Sequence, residues 1–535
     1  MHKTVVWLLS LTVLAGCAQS EEGDGDATGR PKQGPDLQAA SSQDYFSDAV
    51  YDASVLDLEK LSKPIYEILP PVEEFLTASD GIRLSNTVFR PDTDDPVPVY
   101  INFSPYWQES AASKGDNFGH YLVDTLVPRG YAVILAALRG TSHSEGCFEV
   151  GSDREVLDLY EVIDHYADVD WSSGAIAAGG KSYDSTTQNG LIANRPHPAL
   201  KAIFHVSGIT DMYSYTFRNG LLARIDGGIF TTTYSTGYGG DMTCQEFLEG
   251  VAFPASTTAT GAKTPYWIER DWTRTIGASA WNGSIFFYHG FHDWNVQPAH
   301  ILPWLDNLPD QIRAKTKIWL HQDRENSGHL YPMRTDWNLT MLRWLDSELK
   351  GIDTGIWKEP RAQLQGSDLL WREQDMWPDR NGSASIAIGA DGLVIEATDT
   401  PLRYSGAPSL WVTVTSANPD GVFSAQLLEV DAAGVATLRN EAVMRLIYRD
   451  SLEMPSPITP ALPMTFTVSF YPSDDVLPVG HKWVVAFQQT PAHAEVLPPQ
   501  LLGVTVSAAT LDIAIVSADP GLLALQPVGM ACFAC

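Results

Sequence analysis

Three residues far apart in the chain share a setting suited to nucleophilic chemistry. Ser182 lies in "GGKSYDSTTQNG", Asp293 in "HGFHDWNVQP" and His329 in "HQDRENSGHLYP". A serine hydroxyl is a poor nucleophile unless a base takes its proton, and the base needs a third group to fix its tautomer. Serine, carboxylate and imidazole in that chain order supply those roles. Each residue follows an apolar run of strand length, where a sheet exposes side chains at its carboxyl end. Small residues crowd Ser182: Gly180 stands two before it and Ser185 three after, while Asp184 breaks the common G-x-S-x-G pattern. A phosphate-loop reading of "GGKS" fails on counting, because the glycine it needs five residues before Gly180 is Ala175.

The elements that must position these groups are legible as texture. "VPVYINFSPYW", "GYAVILAALRG", "GAIAAGGKS", "KAIFHVSG", "GSIFFYHGFHDW" and "TKIWLHQ" read as continuous apolar strands, and "DREVLDLYEVIDHYADVDW" as an amphipathic helix. Such alternation implies a mainly parallel sheet covered on both faces, an α/β domain over residues 46–350. A Tyr-, Gly- and Thr-rich interval, about 209–280, interrupts it as an inserted cap. From 351 to 535 short alternating strands separated by turns imply a β-sandwich. The order Ser, Asp, His on an α/β sheet is that of the α/β-hydrolases.

Composition narrows the partners. There are 35 basic against 65 acidic residues, a formal charge of −30. That balance repels nucleic acid and anionic membrane surfaces. "MHKTVVWLLSLTVLAGCAQS" has a basic start, a short apolar stretch and small residues before Cys17, the pattern of an export signal. "LAGC" resembles the lipobox of bacterial lipoproteins, which implies a lipid anchor on Cys17, a signal over 1–17 and a polar tether over 18–45. Ala18 after it favours the outer membrane, or more broadly the cell envelope or periplasm. Of the other cysteines, Cys147 with Cys244 and Cys532 with Cys535 are the pairings export would allow. No metal or organic cofactor is expected, and homo-oligomer formation stays open.

Finer motifs carry a family resemblance. "GKSYDS" resembles the G-x-S-Y-x-G elbow of the family that joins X-prolyl dipeptidyl-peptidases with cocaine-esterase-like and acylase hydrolases, with Ser185 replacing the last glycine. "SPYW" resembles its tyrosine-bearing loop, "RGTSHSEG" its R-G-x-G-x-S-x-G loop with Ser142 replacing a glycine, and "HGFHDWNV" and "GHLYPM" its peptidase branch. The resemblance covers the chain from Val72 onward and includes a C-terminal jelly-roll. It implies an oxyanion hole from the Tyr106 hydroxyl and the Tyr183 backbone N–H. It also implies Asn295 beside the substrate's amino end, with Trp107 and Trp294 lining the site. The reaction implied is removal of X-Pro dipeptides through an acyl-enzyme. The alternatives are an esterase or amidase using the same triad on a non-peptide acyl substrate, and a non-catalytic binder on a degenerate hydrolase fold. His321 and Asp306 compete with His329 and Asp293 on position, and Glu145, Glu149 and Asp184 are acids near the expected mouth.

Overall fold

The computed structural model describes residues 58–106, 117–223, 261–322, 328–329, 334, 336–388, 393–494, 502–518 and 521–522. Cys17, Trp107, Cys244, Cys532 and Cys535 lie outside them.

The apolar runs become the strands of one sheet: β1 (Val72–Thr77), β2 (Arg83–Phe89), β3 (Val97–Ser104), β4 (Ala132–Ala137), β5 (Ser172–Lys181), β6 (Leu200–Val206), β7 (Ser284–Gly290), β8 (Thr316–His321), β9 (Ala362–Gln365) and β10 (Trp371–Gln374). They hydrogen-bond in the order β1-β2-β4-β3-β5-β6-β7-β8-β9-β10. Neighbours from β4 to β9 run parallel. The pairs β1–β2, β2–β4 and β9–β10 are antiparallel. Every residue of β3, β4, β7 and β8 is buried, as strands covered on both faces require.

The covering helices are α1 (Asn117–Leu126), α2 (Asp153–Asp168), α3 (Thr187–Asn194) and α4 (Trp337–Lys350). α2 begins where the Ser152 hydroxyl accepts a hydrogen bond from Glu155 N (3.3 Å), an N-cap that satisfies one of the first turn's spare donors. It buries Val156, Leu159, Val162, Ile163 and Tyr166 in a core shared with Ile101, Ile134, Ile176, Ile203 and Ile285. Phe204 and Phe286, next along their strands, point to the opposite face. There Trp337 and Trp344 of α4 meet Phe204 edge-on at 4.7 and 5.7 Å. Both faces are therefore closed, and only the strand ends are open to chemistry.

In place of the alternation, residues 209–280 hold short helical turns such as Met212–Thr216 and Pro265–Ile268 and a small hairpin, Phe217–Arg218 with Leu221–Leu222. Residues 224–260 of this interval lie outside the described set.

The texture change after residue 350 marks a second layer system, but its first two strands belong to the ten-stranded sheet. β9 pairs with β8 and β10 extends the edge, so that sheet passes the boundary at 350/351. Short alternating strands look alike whether they lengthen one sheet or start another. Beyond them, one four-stranded sheet (Ala384–Ile388, Val504–Ile513, Ser409–Ser416, Met464–Ser469) faces another (Leu393–Glu396, Lys482–Gln488, Val422–Val430, Ala436–Arg445). Leu410, Val412, Val414 and Phe466 meet Phe423, Ala425, Leu427 and Trp483 between them. A smaller sheet, Ser473–Leu477 with Leu402–Gly406 and Ile515–Val516, stands beside these.

That smaller sheet is held by an ion pair with no exposure on either side: Arg403 Nε and Nη2 donate to Asp474 Oδ1 and Oδ2 at 2.7 and 2.8 Å. The Asp474 carbonyl in turn accepts from Gln322 Nε2, just past β8, at 2.8 Å. Removing one partner of a buried pair leaves an uncompensated charge. Arg403→Met is expected to cost about 3–5 kcal/mol at neutral pH, read as a lower urea midpoint against wild type.

Candidate active site

β5 ends at Lys181 and the chain turns at once into a single 3₁₀ turn, Ser182–Ser185, before α3. Ser182 has φ +61°, a left-handed conformation uncommon for a residue with a side chain. The turn is held from both sides. The Ser182 carbonyl accepts from the Thr186 hydroxyl (2.9 Å), and the Ser185 hydroxyl lies 3.0 Å from both Ser182 O and Val206 O, shared between the two. The space Ser185 needs comes from the loop after β6. A Cβ at Gly208 would collide with Ser185 Oγ and lie 2.5 Å from the Ser185 carbonyl. The side chain gained at 185 thus occupies room left by a missing one at 208.

Asp293 lies in the loop after β7 with no exposed surface. Its Oδ1 accepts from the backbone N–H groups of Asn295 (3.1 Å) and Val296 (2.7 Å), and its Oδ2 faces His329 Nδ1 at 2.9 Å. Burial alone would raise the Asp293 pKa. The charge and hydrogen bond of His329, with His289 and the Val296 N–H, outweigh it and hold the carboxyl below its usual range. With Nδ1 engaged, Nε2 is the basic nitrogen of His329. Gly328 (φ +74°) lets the imidazole come this close, since a Cβ there would lie 2.5 Å from the His292 carbonyl and 2.7 Å from Asp293 N. Lys181 Nζ, one residue before the serine, reaches the His329 carbonyl at 3.5 Å. The elbow and the imidazole loop therefore meet at the same end of the sheet.

The rivals fall elsewhere. His321 ends β8, buried and stacked on Tyr288 with ring centroids 4.9 Å apart. Asp306 is in a surface ion pair with Arg380. Of the acids expected at the mouth, Asp184 is only 2% exposed and lies beneath the turn, accepting from Asn102 Nδ2 at 3.4 Å. Glu145 pairs with Arg83. Glu149 is half-buried, with its N–H donated to Glu155 Oε1 and its carbonyl 3.4 Å from Arg270 Nη2. Tyr106, two residues past β3, is half-buried and donates its N–H to Ser104 Oγ (3.0 Å). Asn295 is half-buried beside Asp293. Trp294 stacks on His493 of the C-terminal domain with ring centroids 3.6 Å apart and planes within 9°. Tyr471 meets the same indole edge-on at 5.2 Å. Cys147 is disulfide-bonded, its partner lying outside the described residues.

Three contributors escape a reading of the sequence. His289 is fully buried, donates Nε2–H to Val296 O (2.9 Å) and approaches Asp293 Oδ2 at 3.6 Å, its pKa lowered by burial against the pull of that carboxylate. His300 behind it, its ring centroid 5.5 Å from that of His289, is pushed down by burial to about 3. Glu155 on α2 is also fully buried and accepts from the Tyr183 hydroxyl at 2.7 Å. Burial pushes its pKa up to about 7 against the pull of that hydroxyl, two backbone N–H groups and Arg270. A signal for Glu155 did exist: it stands four residues before Leu159 and so falls on the apolar stripe of its helix.

A mainly parallel sheet with a serine on a strained strand-to-helix turn, and a buried carboxylate–imidazole pair on later loops, defines an α/β-hydrolase of the serine type. A family model described as X-Pro dipeptidyl-peptidase (S15 family) matches residues 80–325. The model of the X-Pro dipeptidyl-peptidase C-terminal non-catalytic domain matches 394–486. The chain belongs to the S15 family of X-Pro dipeptidyl-peptidases. It is 30% identical over 380 residues to a putative Xaa-Pro dipeptidyl-peptidase of Bacillus anthracis, covering 62% of each chain. It is 24% identical over 508 residues to the Xaa-Pro dipeptidyl-peptidase of Streptococcus thermophilus, covering 73% of this chain and 65% of that one. The chain thus spans less than two thirds of the length of these relatives. Among solved structures, a CocE/NonD family hydrolase from Staphylococcus aureus superposes with a TM-score of 0.67 at 16% identity, over 85% of this chain and 98% of that one. An α-amino acid ester hydrolase superposes at 0.63 and 16% identity, over 92% and 98%. At such identity these two share the fold.

The elbow geometry makes a stability prediction. Gly208→Ala would set its Cβ against the Ser185 hydroxyl and also 2.5 Å from the Ser185 backbone carbonyl, which cannot swing aside. It is expected to cost about 1–3 kcal/mol, measured as a lower melting midpoint. Pairing it with Ser185→Gly removes the hydroxyl collision and recovers part of the loss.

Proposed function

We propose that the chain is a serine peptidase that releases X-Pro dipeptides from peptide amino termini through an acyl-enzyme. The observation that carries this reading is the buried Asp293–His329 pair, brought by Gly328 and Lys181 to the end of the sheet where Ser182 is held at φ +61°. In the proposed mechanism His329 Nε2 takes the Ser182 proton as Oγ attacks the carbonyl, and returns it to the leaving amine. Asp293, kept ionised, holds the imidazole tautomer and stabilises its cation. The Tyr183 N–H and the Tyr106 hydroxyl are the donors assigned to the developing oxyanion. Asn295, whose own N–H is fixed on Asp293, is assigned to the substrate's amino end, with Trp294 and Trp107 as walls. Membership of the X-Pro peptidase family supports the dipeptide specificity.

The charge balance supports peptides rather than nucleic acid as partners. No helix among the described residues is long and apolar enough to cross a membrane. The lipobox-like "LAGC" supports attachment through a lipid on Cys17 and an address in the cell envelope.

Two measurements test this. A fluorophosphonate probe is expected to label the wild type and not Ser182→Ala, and His329→Ala is expected to lose at least about 10⁴-fold in kcat while His321→Ala stays active. Full activity in His329→Ala removes the assignment of the base. On a substrate panel, Ala-Pro and Gly-Pro arylamides are expected to be cleaved in preference to simple aryl esters. Fast ester turnover without prolyl amide cleavage would replace the peptidase with an esterase.

A further inference from the structure

The oxyanion assignment places weight on one peptide group, the N–H of Tyr183. That residue's side chain is fully buried and runs down to α2, where its hydroxyl donates to Glu155 Oε2 at 2.7 Å. The same carboxylate holds a second piece of backbone. Gly151 N donates to Oε2 at 3.0 Å and Glu149 N to Oε1 at 2.9 Å. Between these two donors stands Val150, buried, with φ +57°. A β-branched residue in the left-handed region is strained, and such strain persists only where its surroundings over-determine it. Arg270 supplies the rest: its Nε donates to Val150 O at 3.0 Å and its guanidinium lies 3.9 Å over the Tyr266 ring. Phe148 completes the contact, edge-on to Tyr183 with centroids 5.2 Å apart.

Three donors converge on two oxygens, so the arrangement is that of an ionised carboxylate, which only accepts. A carboxylic acid must place its own proton somewhere. The nearest acceptor is the Tyr183 oxygen, and the phenol would then turn its hydrogen away from Glu155. We propose that Glu155 is a positioning residue for catalysis: its carboxylate, tied to the Tyr183 hydroxyl and to the strained 149–151 loop, fixes the Tyr183 peptide whose N–H meets the oxyanion, and its protonation loosens that peptide. The proposal rests on the serine-hydrolase reading of Ser182. The charged and titratable groups facing Glu155 are the Tyr183 phenol, the Arg270 guanidinium and, through their mutual electrostatic influence, Tyr266 with Glu149 behind it. Arg270 is the lone cation among them, and it is spent on loop carbonyls. Burial places the group's titration at about 7, inside the range where the enzyme can be assayed.

The sign separates this role from a merely structural one. The folded value of about 7 lies above the unfolded value of about 4.3. The Glu155 contribution to stability is therefore fully present below about 4.3 and lost as pH rises through about 7. Stability from this group increases on acidification while the proposed positioning is lost, so the two readouts move in opposite directions.

The experiment is a pH profile of kcat and KM for wild type, Glu155→Gln and Tyr183→Phe, with melting midpoints over the same range. The substrate is Ala-Pro arylamide or an aryl ester, whichever the wild type turns over faster, and fluorophosphonate labelling runs in parallel. The wild type is expected to show, beyond the one-proton fall from the histidine base, a further loss of about tenfold as pH drops through about 7. Both variants are expected to lose about 10- to 100-fold in kcat at pH 8 with KM little changed, and to lack the further fall. A one-proton acid limb in the wild type, or variants with unchanged kcat and profile, overturns the role of Glu155 while the hydrolase reading stands. A wild type that neither labels nor turns over substrate overturns the hydrolase reading instead. If Glu155→Gln does not fold, Tyr183→Phe and the wild-type profile decide, because that change removes a single hydroxyl.

Discussion

The buried charge of Asp293 is the constraint around which the site is arranged. A carboxylate with no exposed surface loses its hydration, a penalty of several kcal/mol unless partners replace the water. Here they do so from two directions: backbone N–H groups of Asn295 and Val296 at Oδ1, and the His329 imidazole at Oδ2. The first set fixes the loop as a tight Asx-type turn, since its donors lie two and three residues on. The second fixes His329 by the same contact that gives it the right tautomer. Once the carboxylate is committed to being charged, the positions of both its neighbours follow. Gly328 is then required next to His329, because any side chain there would strike the His292 carbonyl.

The same loop is where the two domains meet. Trp294, between the acid and Asn295, cannot turn toward solvent because His493 lies flat on it and Tyr471 closes its edge. His493 is itself placed by Glu441, a fully buried carboxylate that accepts from the N–H groups of Ala492 (2.7 Å) and His493 (2.9 Å). The Tyr471 hydroxyl donates to Gln297 Oε1 at 2.9 Å, and Gln322 past β8 reaches the Asp474 carbonyl. The C-terminal sandwich therefore grips the loops after both β7 and β8, which carry the acid and lead to the base. The C-terminal domain thus fixes the rotamer of Trp294 beside Asp293.

Much of this arrangement is visible in the sequence. Continuous apolar strands stay buried on both faces, and the segments that follow them carry Ser182, Asp293 and His329 at one end of the sheet. What the sequence conceals comes through contacts distant along the chain. The stacking of His493 on Trp294 spans about two hundred residues, and no local pattern announces it. Strands β9 and β10 are only four residues each, too short for their sequence to show which sheet they join. Asp184 reads as a solvated loop acid yet lies under the elbow, since the tight turn directs it inward toward Asn102. Ser185 reads as a defect in the elbow until Gly208, in the loop past the next strand, shows where its side chain goes.

Two buried carboxylates, Asp293 and Glu155, differ in their surroundings, which push their pKa values in opposite directions. Asp293 faces an imidazole and two backbone N–H groups in a loop, and its pKa is lowered. Glu155 sits inside a helix–sheet core, where its nearest cation, Arg270, is turned to the carbonyls of Val150 and Glu149, and its pKa is raised to about 7. Equal burial with unequal partners yields a permanent charge at one position and a titratable one at the other. The permanent charge is the one bonded to the His329 imidazole, which it orients. The titratable one is bonded to the phenol of Tyr183, whose backbone follows Ser182. Both acids accept two backbone N–H groups, so the division follows from the remaining partner: an imidazole that can carry charge for Asp293, a phenol hydroxyl for Glu155.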